Sequence, residues 1–329
     1  MTRVLYSINE VENKIKEGKT LLLAGDEGLL KQLSPGKWIA GTIPYFMGEN
    51  GGVSTKEKIC VTELPPYVIK TAVAVYNQDS ISNIYKDASQ NGFSFIIIPA
   101  SSPIHLSFAL NAPHYQGFAT RPLIGWISGT QVSEIGKTIP KVFSGEKQKA
   151  LENEAVVMHV TLPDNRYAEI NILNIFEPGT GDTITFPEDS FSVQEALING
   201  TKRNFAEYVA EKKLDIRLPL VANYSGAMIN TSFQRSDTAT RKVHFYAPVF
   251  KGVEYKHAKP IANYVAQFTS QMPQSAKDKI LFSCNCILNY LFSELEGKQT
   301  GGITGPITFG EIAYQLLNQT MAYLTINNL

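Results

Sequence analysis

The sequence predicts an α/β protein of two similarly sized halves, with mixed β-sheets covered by helices. Apolar runs of strand length alternate with helical patterns along the chain, and hydrophobic residues make up 43% of its 329 residues, which is enough for a large core. Turn-forming residues are concentrated at 177–182, and the pattern changes after them. We therefore expect one domain at residues 1–185 and a second at residues 186–329.

The first half is predicted to begin in the order helix, strand, helix, strand. Val11 and Ile15 lie one helical turn apart with charged residues between them, which is typical of an exposed helix. Residues 20–24 are predicted to be a strand, because residues 21–24 are apolar without interruption, as in a strand buried on both faces. Residues 47–52 are rich in glycine and are predicted to be a loop. The other predicted strands are 37–40, 57–62, 67–76, 93–98, 122–129, 154–162 and 167–175, and the other predicted helices are 27–33 and 79–91.

The second half is predicted to contain five helices and three strands. Ile312, Leu316, Leu317 and Tyr323 have nearly helical spacing, so residues 312–323 are predicted to form the last helix. The other predicted helices are 192–199, 204–212, 261–272 and 285–295, and the predicted strands are 218–223, 242–250 and 279–284.

Composition excludes several functional classes and locations. Thirty basic and thirty acidic side chains cancel, so the sequence lacks the basic excess of a nucleic-acid-binding surface. The longest apolar run is residues 95–98, far short of the ~20 residues of a membrane-spanning helix. Three cysteines are too few for a disulfide scaffold, and the first residues lack a signal peptide's apolar core. We therefore expect a cytoplasmic protein that binds neither nucleic acid nor membrane.

Few residues show a catalytic or metal-binding pattern. The five histidines lack the i,i+4 pairing of a helical zinc motif, so we expect no metal site and no cofactor. Cys284 and Cys286 follow an apolar strand, at a position where chains commonly hold ligands through backbone N–H groups. The pattern favours packing or a ligand-lining role for Cys284 over nucleophilic catalysis, and the expectation is a protein that is not an enzyme. The five histidines are His105, His114, His159, His244 and His257.

The most specific pattern lies near the C-terminus. Ser283-Cys284 ends a predicted strand, a Gly-x-x-Thr-Phe-Gly-Glu-Ile stretch covers residues 305–312, and Asn-Gln-Thr follows at 318–320. In this order and spacing, the three fragments resemble the C-terminal half of FIST sensory domains. Gly41-Thr42 and residues 122–125 are similar to strands of that family's N-terminal half. The family often has Arg soon after Ser-Cys and His before Asn-Gln-Thr, and this chain has neither.

The resemblance implies a small-ligand sensor, with an amino acid or related metabolite as the ligand. The sensor would fill the chain, so it is expected to signal through a separate protein partner. The missing Arg and His predict either a different ligand or a degenerate site. Glu311 is predicted either to bind ligand or to begin the last helix, where a carboxylate suits the helix dipole. The expected ligand-binding residues are Gly41, Thr42, Cys284, Asn285, Thr308, Gly310, Glu311, Asn318, Gln319 and Thr320.

Two other functions remain open from the sequence. Some FIST relatives act as haem-linked gas sensors, in which case one histidine would be an axial ligand. Alternatively, Cys284 with a spatially adjacent base would make the protein a cysteine-dependent enzyme.

Overall fold

A computed structural model describes residues 3–224, 227–271 and 279–329 of the chain. Strands hold 42% of the residues and helices 18%, so the protein is a mixed α/β fold dominated by strands. The predicted mixed α/β class is therefore confirmed. Within the described residues, no helix is long and apolar enough to cross a membrane.

Sixteen strands of the described chain lie before residue 200. They are β1 (Leu5–Tyr6), β2 (Leu21–Gly25), β3 (Trp38–Thr42), β4 (Tyr45–Gly48), β5 (Gly51–Ser54), β6 (Ile59–Glu63), β7 (Lys70–Tyr76), β8 (Gly92–Pro99), β9 (Leu123–Ser128), β10 (Val142–Ser144), β11 (Lys149–Leu151), β12 (Ala155–Thr161), β13 (Arg166–Leu173), β14 (Ile184–Thr185), β15 (Ser190–Val193) and β16 (Glu195–Ile198).

The remaining strands continue to the C-terminus, and the helices are short. The strands are β17 (Thr201–Asn204), β18 (Leu220–Tyr224), β19 (Ala227–Thr231), β20 (Phe233–Asp237), β21 (Lys242–Val249), β22 (Tyr255–His257), β23 (Ile280–Cys286), β24 (Gly305–Thr308), β25 (Glu311–Ala313), β26 (Gln315–Leu317) and β27 (Met321–Asn328). The helices are α1 (Ile8–Lys16), α2 (Glu27–Leu30), α3 (Ile84–Asp87), α4 (Pro103–Asn111), α5 (Phe205–Glu211), α6 (Tyr264–Gln271) and α7 (Ile287–Phe292).

The described strands form five sheets, three of which combine strands of residues 1–185 with strands of residues 186–329. The strand orders are β1-β6-β2-β3-β10-β11, β26-β25-β9-β8-β12-β7, β13-β27-β23-β24-β4-β5, β17-β16-β14-β22-β18-β19 and β15-β21-β20. Parallel pairs join β2 to β3, β8 to β9 and β23 to β24, and the other pairs are antiparallel. The C-terminal strands β25 and β26 thus extend a sheet built mainly from earlier strands.

Local sequence explains the best-predicted elements. Ser7 and Glu10 form a capping box at the start of α1, where the Ser7 N–H donates to Glu10 Oε2 over 2.8 Å and satisfies a backbone group that the helix leaves free. Val11 and Ile15 are the buried face of this helix. β8 is buried along its whole length, because β9 and β12 flank it and both of its faces are covered, so its apolar run is continuous.

The core lies between the sheets. Ile97 and Trp126 belong to the largest apolar cluster, and Ile96 and Ile127 belong to a second cluster that includes α4. Because β8 and β9 contribute alternate residues to two clusters, their sheet is packed on both faces. Burying this apolar area stabilises the fold by roughly 25 cal/mol for each Å² removed from water.

Two predicted helices are wrong. Residues 312–323 form β25, β26 and the start of β27, and residues 192–199 form parts of β15 and β16. In the first segment, Tyr314 and Gln319 have φ values of +64° and +48°, and left-handed residues of this kind end a right-handed helix. The apolar spacing was misleading because nearly all of these residues are buried, so no polar face marks the strand period.

Two further predictions need correction, and one lies partly outside the described residues. Residues 47–52 are not a loop, since they belong to the β4–β5 hairpin. The predicted helix 79–91 is reduced to a 3-10 turn at Ile81–Asn83 and to α3. Residue 272 of the predicted helix 261–272 lies outside the described residues, and the rest of that segment contains α6.

Candidate functional site

The C-terminal polar residues are brought together by two tight turns. The first turn joins β25 to β26 at Tyr314, and the second joins β26 to β27 through residues 318–320. Antiparallel pairing places Leu317 opposite Glu311. The chain that leaves β26 therefore passes directly over Glu311, and Thr320 contacts its carboxyl group.

Glu311 is a fully buried carboxyl group at the centre of this cluster. Its Oε2 accepts hydrogen bonds from the Thr320 backbone N–H over 3.3 Å and from the Thr320 hydroxyl over 2.9 Å. Its Oε1 lies 3.5 Å from Thr308 Oγ1. Burial raises the pKa of Glu311 to about 8, although the hydrogen bonds from Thr320, Cys286 and Thr308 oppose this rise. The carboxyl group therefore changes protonation near neutral pH.

The two cysteines of the cluster are buried thiols. Burial raises the pKa values of Cys284 and Cys286 well above the ordinary thiol value, and the nearby Glu311 carboxylate raises them further. Cys284 Sγ lies 3.5 Å from the carbonyl oxygen of Gly125. Both groups therefore stay protonated at neutral pH, and neither supplies the thiolate that a cysteine nucleophile needs.

Asn285 and Asn289 connect β23 to α7. Asn285 Oδ1 accepts from the Cys286 N–H over 2.8 Å and from Asn289 Nδ2 over 3.0 Å. Asn289 Nδ2 also lies 3.4 Å from the carbonyl oxygen of Thr320. Hydrogen bonds thus run from Asn289 through Thr320 to the Glu311 carboxyl group.

Asn318 and Gln319 are held in the turn before β27. Asn230 Nδ2 donates to both of their carbonyl oxygens, over 3.1 and 3.2 Å. Gln319 Nε2 donates to the Arg217 carbonyl oxygen, and its Oε1 accepts from the Ser232 hydroxyl. The Asn-Gln-Thr motif is therefore fixed by Asn230 of β19 and by Arg217 and Ser232, and it does not form the helical turn expected from the sequence.

A cavity of about 600 Å³ lies beside this cluster. It is bounded by α6, α7 and residues 215–218, and it falls within the usual size range of small-molecule sites. Its polar lining includes Asp215, Arg217, Tyr264, Asn289, Glu294, Lys298 and Gln319. Of the ten residues predicted to bind ligand, only Gln319 lines this cavity.

The cavity and the buried carboxyl group beside it form the candidate site. A comparison with known protein families assigns the chain to one of them. DUF6976, a family of unknown function, matches residues 6–327. The chain belongs to this family. Among curated proteins, none matches it.

Asn289 is one of the cavity residues of the DUF6976 chain that the sequence analysis did not predict. It is only 2% exposed, and its Oδ1 has no hydrogen-bond partner among the described residues. A signal was present in the sequence, because Asn285 and Asn289 are separated by one helical turn in the segment 285–295, which was predicted to be helical. Asparagine is a common structural residue, so its identity alone did not indicate a site.

The other predicted residues of the DUF6976 chain lie outside the 600 Å³ cavity. Cys284 and Asn285 line a separate cavity of about 10 Å³, which has room for about one water molecule. Thr308 Oγ1 lies 3.1 Å from the Gly310 carbonyl oxygen. A Cβ atom on Gly310 would lie 2.8 Å from Leu316 Cδ1, so the glycine permits close packing at this turn.

Gly41 and Thr42 lie at the end of β3, against the end of β9. The Thr42 carbonyl oxygen accepts from the Gly129 N–H over 2.7 Å, and Thr42 Oγ1 accepts from the Lys141 N–H over 2.9 Å. A Cβ atom on Gly41 would lie 2.6 Å from Ile97 Cγ2. In the structure, these two residues join neighbouring sheets.

The histidines of the DUF6976 chain are dispersed. His159 lies between the Tyr76 hydroxyl at 2.9 Å and Ser94 Oγ at 2.7 Å, and burial lowers the pKa of His105 to about 4. None of the five lines the 600 Å³ cavity. Within the described ranges, no group of three or more His, Cys, Asp or Glu side chains has the arrangement of a metal site.

Proposed function

We propose that this DUF6976 protein is an intracellular sensor that binds an amino acid or related metabolite and signals through a separate protein partner. The observation that carries the proposal is the 600 Å³ cavity, whose lining includes Gln319 of the Asn-Gln-Thr motif together with charged and aromatic side chains. Concave sites of this size with a few polar groups in the lining are typical of small-molecule binding sites.

The resemblance to FIST sensory domains supports this proposal. The residues that carry it, Glu311 and Thr320 above all, are in direct contact, and they lie next to a cavity. We also propose that the two-part organisation of that family applies here, with a boundary near residue 185 and the ligand-binding residues mainly in the second part.

The charges around the cavity suit a zwitterion. Asp215 and Glu294 are acidic, Arg217 and Lys298 are basic, and all four line the cavity. Asp215 pairs with Arg217 over 2.7 Å and Glu294 lies 3.9 Å from Lys298, so a small molecule with one ammonium and one carboxylate group would exchange partners with these exposed ion pairs. Amino acids are the simplest molecules of this class.

Hydrogen bonds offer a route from the cavity to the protein interior. Gln319 lines the cavity, and the next residue, Thr320, donates two hydrogen bonds to Glu311. A ligand that shifts Gln319 would move Thr320 relative to the buried carboxyl group. We propose that this displacement transmits the bound state to the surface that meets the signalling partner.

The three cysteines are free and buried, which suits a reducing, cytoplasmic location. The other two functions considered from the sequence have less physical support. A cysteine nucleophile needs a lowered thiol pKa, whereas the pKa of Cys284 is raised by burial. A histidine-ligated haem would need a histidine in a large cavity, and the 600 Å³ cavity is lined by other residue types.

A thermal-shift screen with amino acids and related metabolites tests the proposal, because a ligand that binds only the folded chain raises its melting temperature. Ala262 lines the cavity, and the variant Ala262→Trp would fill part of it. Ala239 lies in an exposed turn away from the cavity, so Ala239→Trp is the matched control. We expect a ligand-induced shift that Ala262→Trp abolishes and Ala239→Trp retains. A screen without any shift contradicts the sensor function.

A further inference from the structure

We infer that the protein has a second ligand site, for a small molecule that joins a carboxylate or phosphate group to an apolar body. The site is a cavity of about 510 Å³ between the first residues of β13 and β23, the last residues of β27 and the segment that follows β6. Its volume is in the usual range of small-molecule sites. It shares no described lining residue with the 600 Å³ cavity, so the inference is independent of the proposed sensor function.

The charge of this second cavity is positive and is not balanced by the protein. Arg166 and Lys279 are the charged side chains of its described lining, and no acidic side chain is among them. Neither cation forms an ion pair with a described residue. The cations in the described lining of the 600 Å³ cavity, in contrast, each lie within 3.9 Å of a carboxylate oxygen. A ligand with a negative group would therefore bind in the second cavity without displacing a carboxylate of the described residues.

The Arg166 side chain has a full set of unused N–H donors. Its guanidinium carbon lies over the Tyr67 ring, 4.0 Å from the ring centroid. Stacking on a ring occupies a face of the guanidinium group and leaves the N–H donors at its edge available. Among the arginines of the described residues, Arg166 is the one whose side chain makes neither a hydrogen bond nor an ion pair with a described residue. A carboxylate or phosphate group accepts two such donors side by side.

Neighbouring residues fix Arg166 and Tyr67 in position. The Arg166 N–H donates to the Pro163 carbonyl oxygen over 2.9 Å, and its own carbonyl oxygen accepts from Asn91 Nδ2 over 3.1 Å. The Tyr67 side chain packs against the largest apolar cluster, and the Arg166 residue is only partly exposed. A guanidinium group that is held in place before the ligand arrives loses little freedom on binding, which favours affinity.

The rest of the lining suits an apolar body attached to the anionic group. Ile280, Leu281 and Ile326 line the cavity together with Tyr67 and Tyr167. The three aliphatic residues belong to the largest apolar cluster or pack against it, and Tyr167 is 40% exposed. An aromatic or aliphatic group bound here would remove apolar area from water on both the ligand and the protein.

Titration calorimetry of the protein with benzoate, phenyl phosphate and benzamide tests the inference. The three probes share a benzene ring, and only the first two carry a negative group. We expect at least one of these two to bind at least about tenfold more tightly than benzamide, because neutral benzamide lacks the charge that Arg166 and Lys279 attract. The tighter of the two anions distinguishes a carboxylate ligand from a phosphate ester. Added salt should weaken the binding of either anion, because it screens exposed charges.

Four variants locate the binding of the tighter anion. Arg166→Gln is expected to weaken it by at least about tenfold, and Lys279→Gln by about threefold, since the Lys279 side chain is exposed. Arg121→Gln removes the same charge outside the cavity, where Arg121 donates to the Thr120 carbonyl oxygen, and should bind like the wild type. Ala262→Trp changes the wall of the 600 Å³ cavity and should also leave the affinity unchanged.

Several results would overturn the inference and leave the proposed sensor function standing. They are benzamide binding as tightly as both anions, no binding of any of the three probes, an affinity that Arg166→Gln does not change, and an affinity that Ala262→Trp abolishes. If Arg166→Gln does not fold, Lys279→Gln is compared with Arg121→Gln, because both change side chains outside the apolar core. Equal affinities of those two variants for the anion would then overturn the inference.

Discussion

Thr320 donates two hydrogen bonds to one carboxylate oxygen of Glu311, from its backbone N–H over 3.3 Å and from its hydroxyl over 2.9 Å. Both residues are at most 1% exposed. Charge-assisted hydrogen bonds of this kind stabilise the ionised carboxyl group, whereas burial disfavours it. Burial has the larger effect, so the pKa of Glu311 lies at about 8.

The raised pKa of Glu311 makes stability depend on pH. Below the ordinary value of 4.5, the group is protonated in both folded and unfolded chains. Between about 4.5 and about 8, only the folded chain holds the proton, so the free energy of unfolding falls as pH rises, by roughly 1 kcal/mol per pH unit. Glu311→Gln is expected to remove this contribution, which denaturant unfolding at pH 5 to 9 would measure.

The exposed Glu294, whose side chain is 88% accessible, is the control for that experiment. Glu294→Gln is expected to keep the wild-type dependence on pH between 5 and 8. If the free energy of unfolding of both Glu311→Gln and Glu294→Gln changes with pH as it does in the wild type, Glu311 does not cause the pH dependence.

Thr320→Val is expected to lower the free energy of unfolding by about 1–3 kcal/mol, because a buried carboxyl group loses a hydroxyl donor. The loss should be larger above pH 8, where the carboxyl group is ionised. The pKa of Glu311 should also rise, because the lost bond favoured the charged form. Thr320→Ser retains the hydroxyl and is expected to keep most of the stability. Equal losses in both variants would indicate a packing effect of the methyl group instead.

Gly41→Ala is expected to destabilise the fold by about 1–3 kcal/mol, because overpacking forces neighbouring side chains to move. The added Cβ would lie 2.6 Å from Ile97 Cγ2 and 3.1 Å from Trp126 Nε1. A Cβ on Gly181 would meet no atom within 4 Å, so Gly181→Ala is the control and should unfold like the wild type. A wild-type melting temperature for Gly41→Ala would show that the sheets separate easily here.

The three thiols are expected to resist alkylation in the folded protein. Burial raises the pKa of Cys60 to about 12 and those of Cys284 and Cys286 well above the ordinary value, so thiolate is scarce and inaccessible. Mass spectrometry after iodoacetamide treatment should find all three unmodified until denaturant is added. Rapid labelling of Cys284 alone at neutral pH would instead favour a reactive cysteine.

Much of the secondary structure could be predicted from local sequence. The apolar runs of β2, β8 and β9 and the amphipathic pattern of α1 correspond to strands and a helix in the structure, because burial on two faces or on one helical face leaves a direct trace in the residue order. The predicted α/β class follows from these elements.

The prediction of a last helix at residues 312–323 was wrong for a physical reason. Residues 312–323 are almost all buried between strands, so neither a helical nor a strand period is visible in their polarity. Their strand structure depends on pairing with β9, β13 and β23, which come from distant parts of the sequence. Local propensity carries no information about such partners.

The sequence by itself determined which polar residues lie near the C-terminus, which apolar runs are expected to be buried, and that basic and acidic side chains are equal in number. Only the tertiary structure decided that Thr320 contacts Glu311, that Gln319 lines a cavity while Glu311 does not, and that Asn289 Oδ1 is buried without a partner among the described residues. Residue type fixes which hydrogen bonds a side chain can make. Which of them are already satisfied depends on residues far away in the chain, such as Arg217 and Ser232, and that is settled only when the sheets assemble.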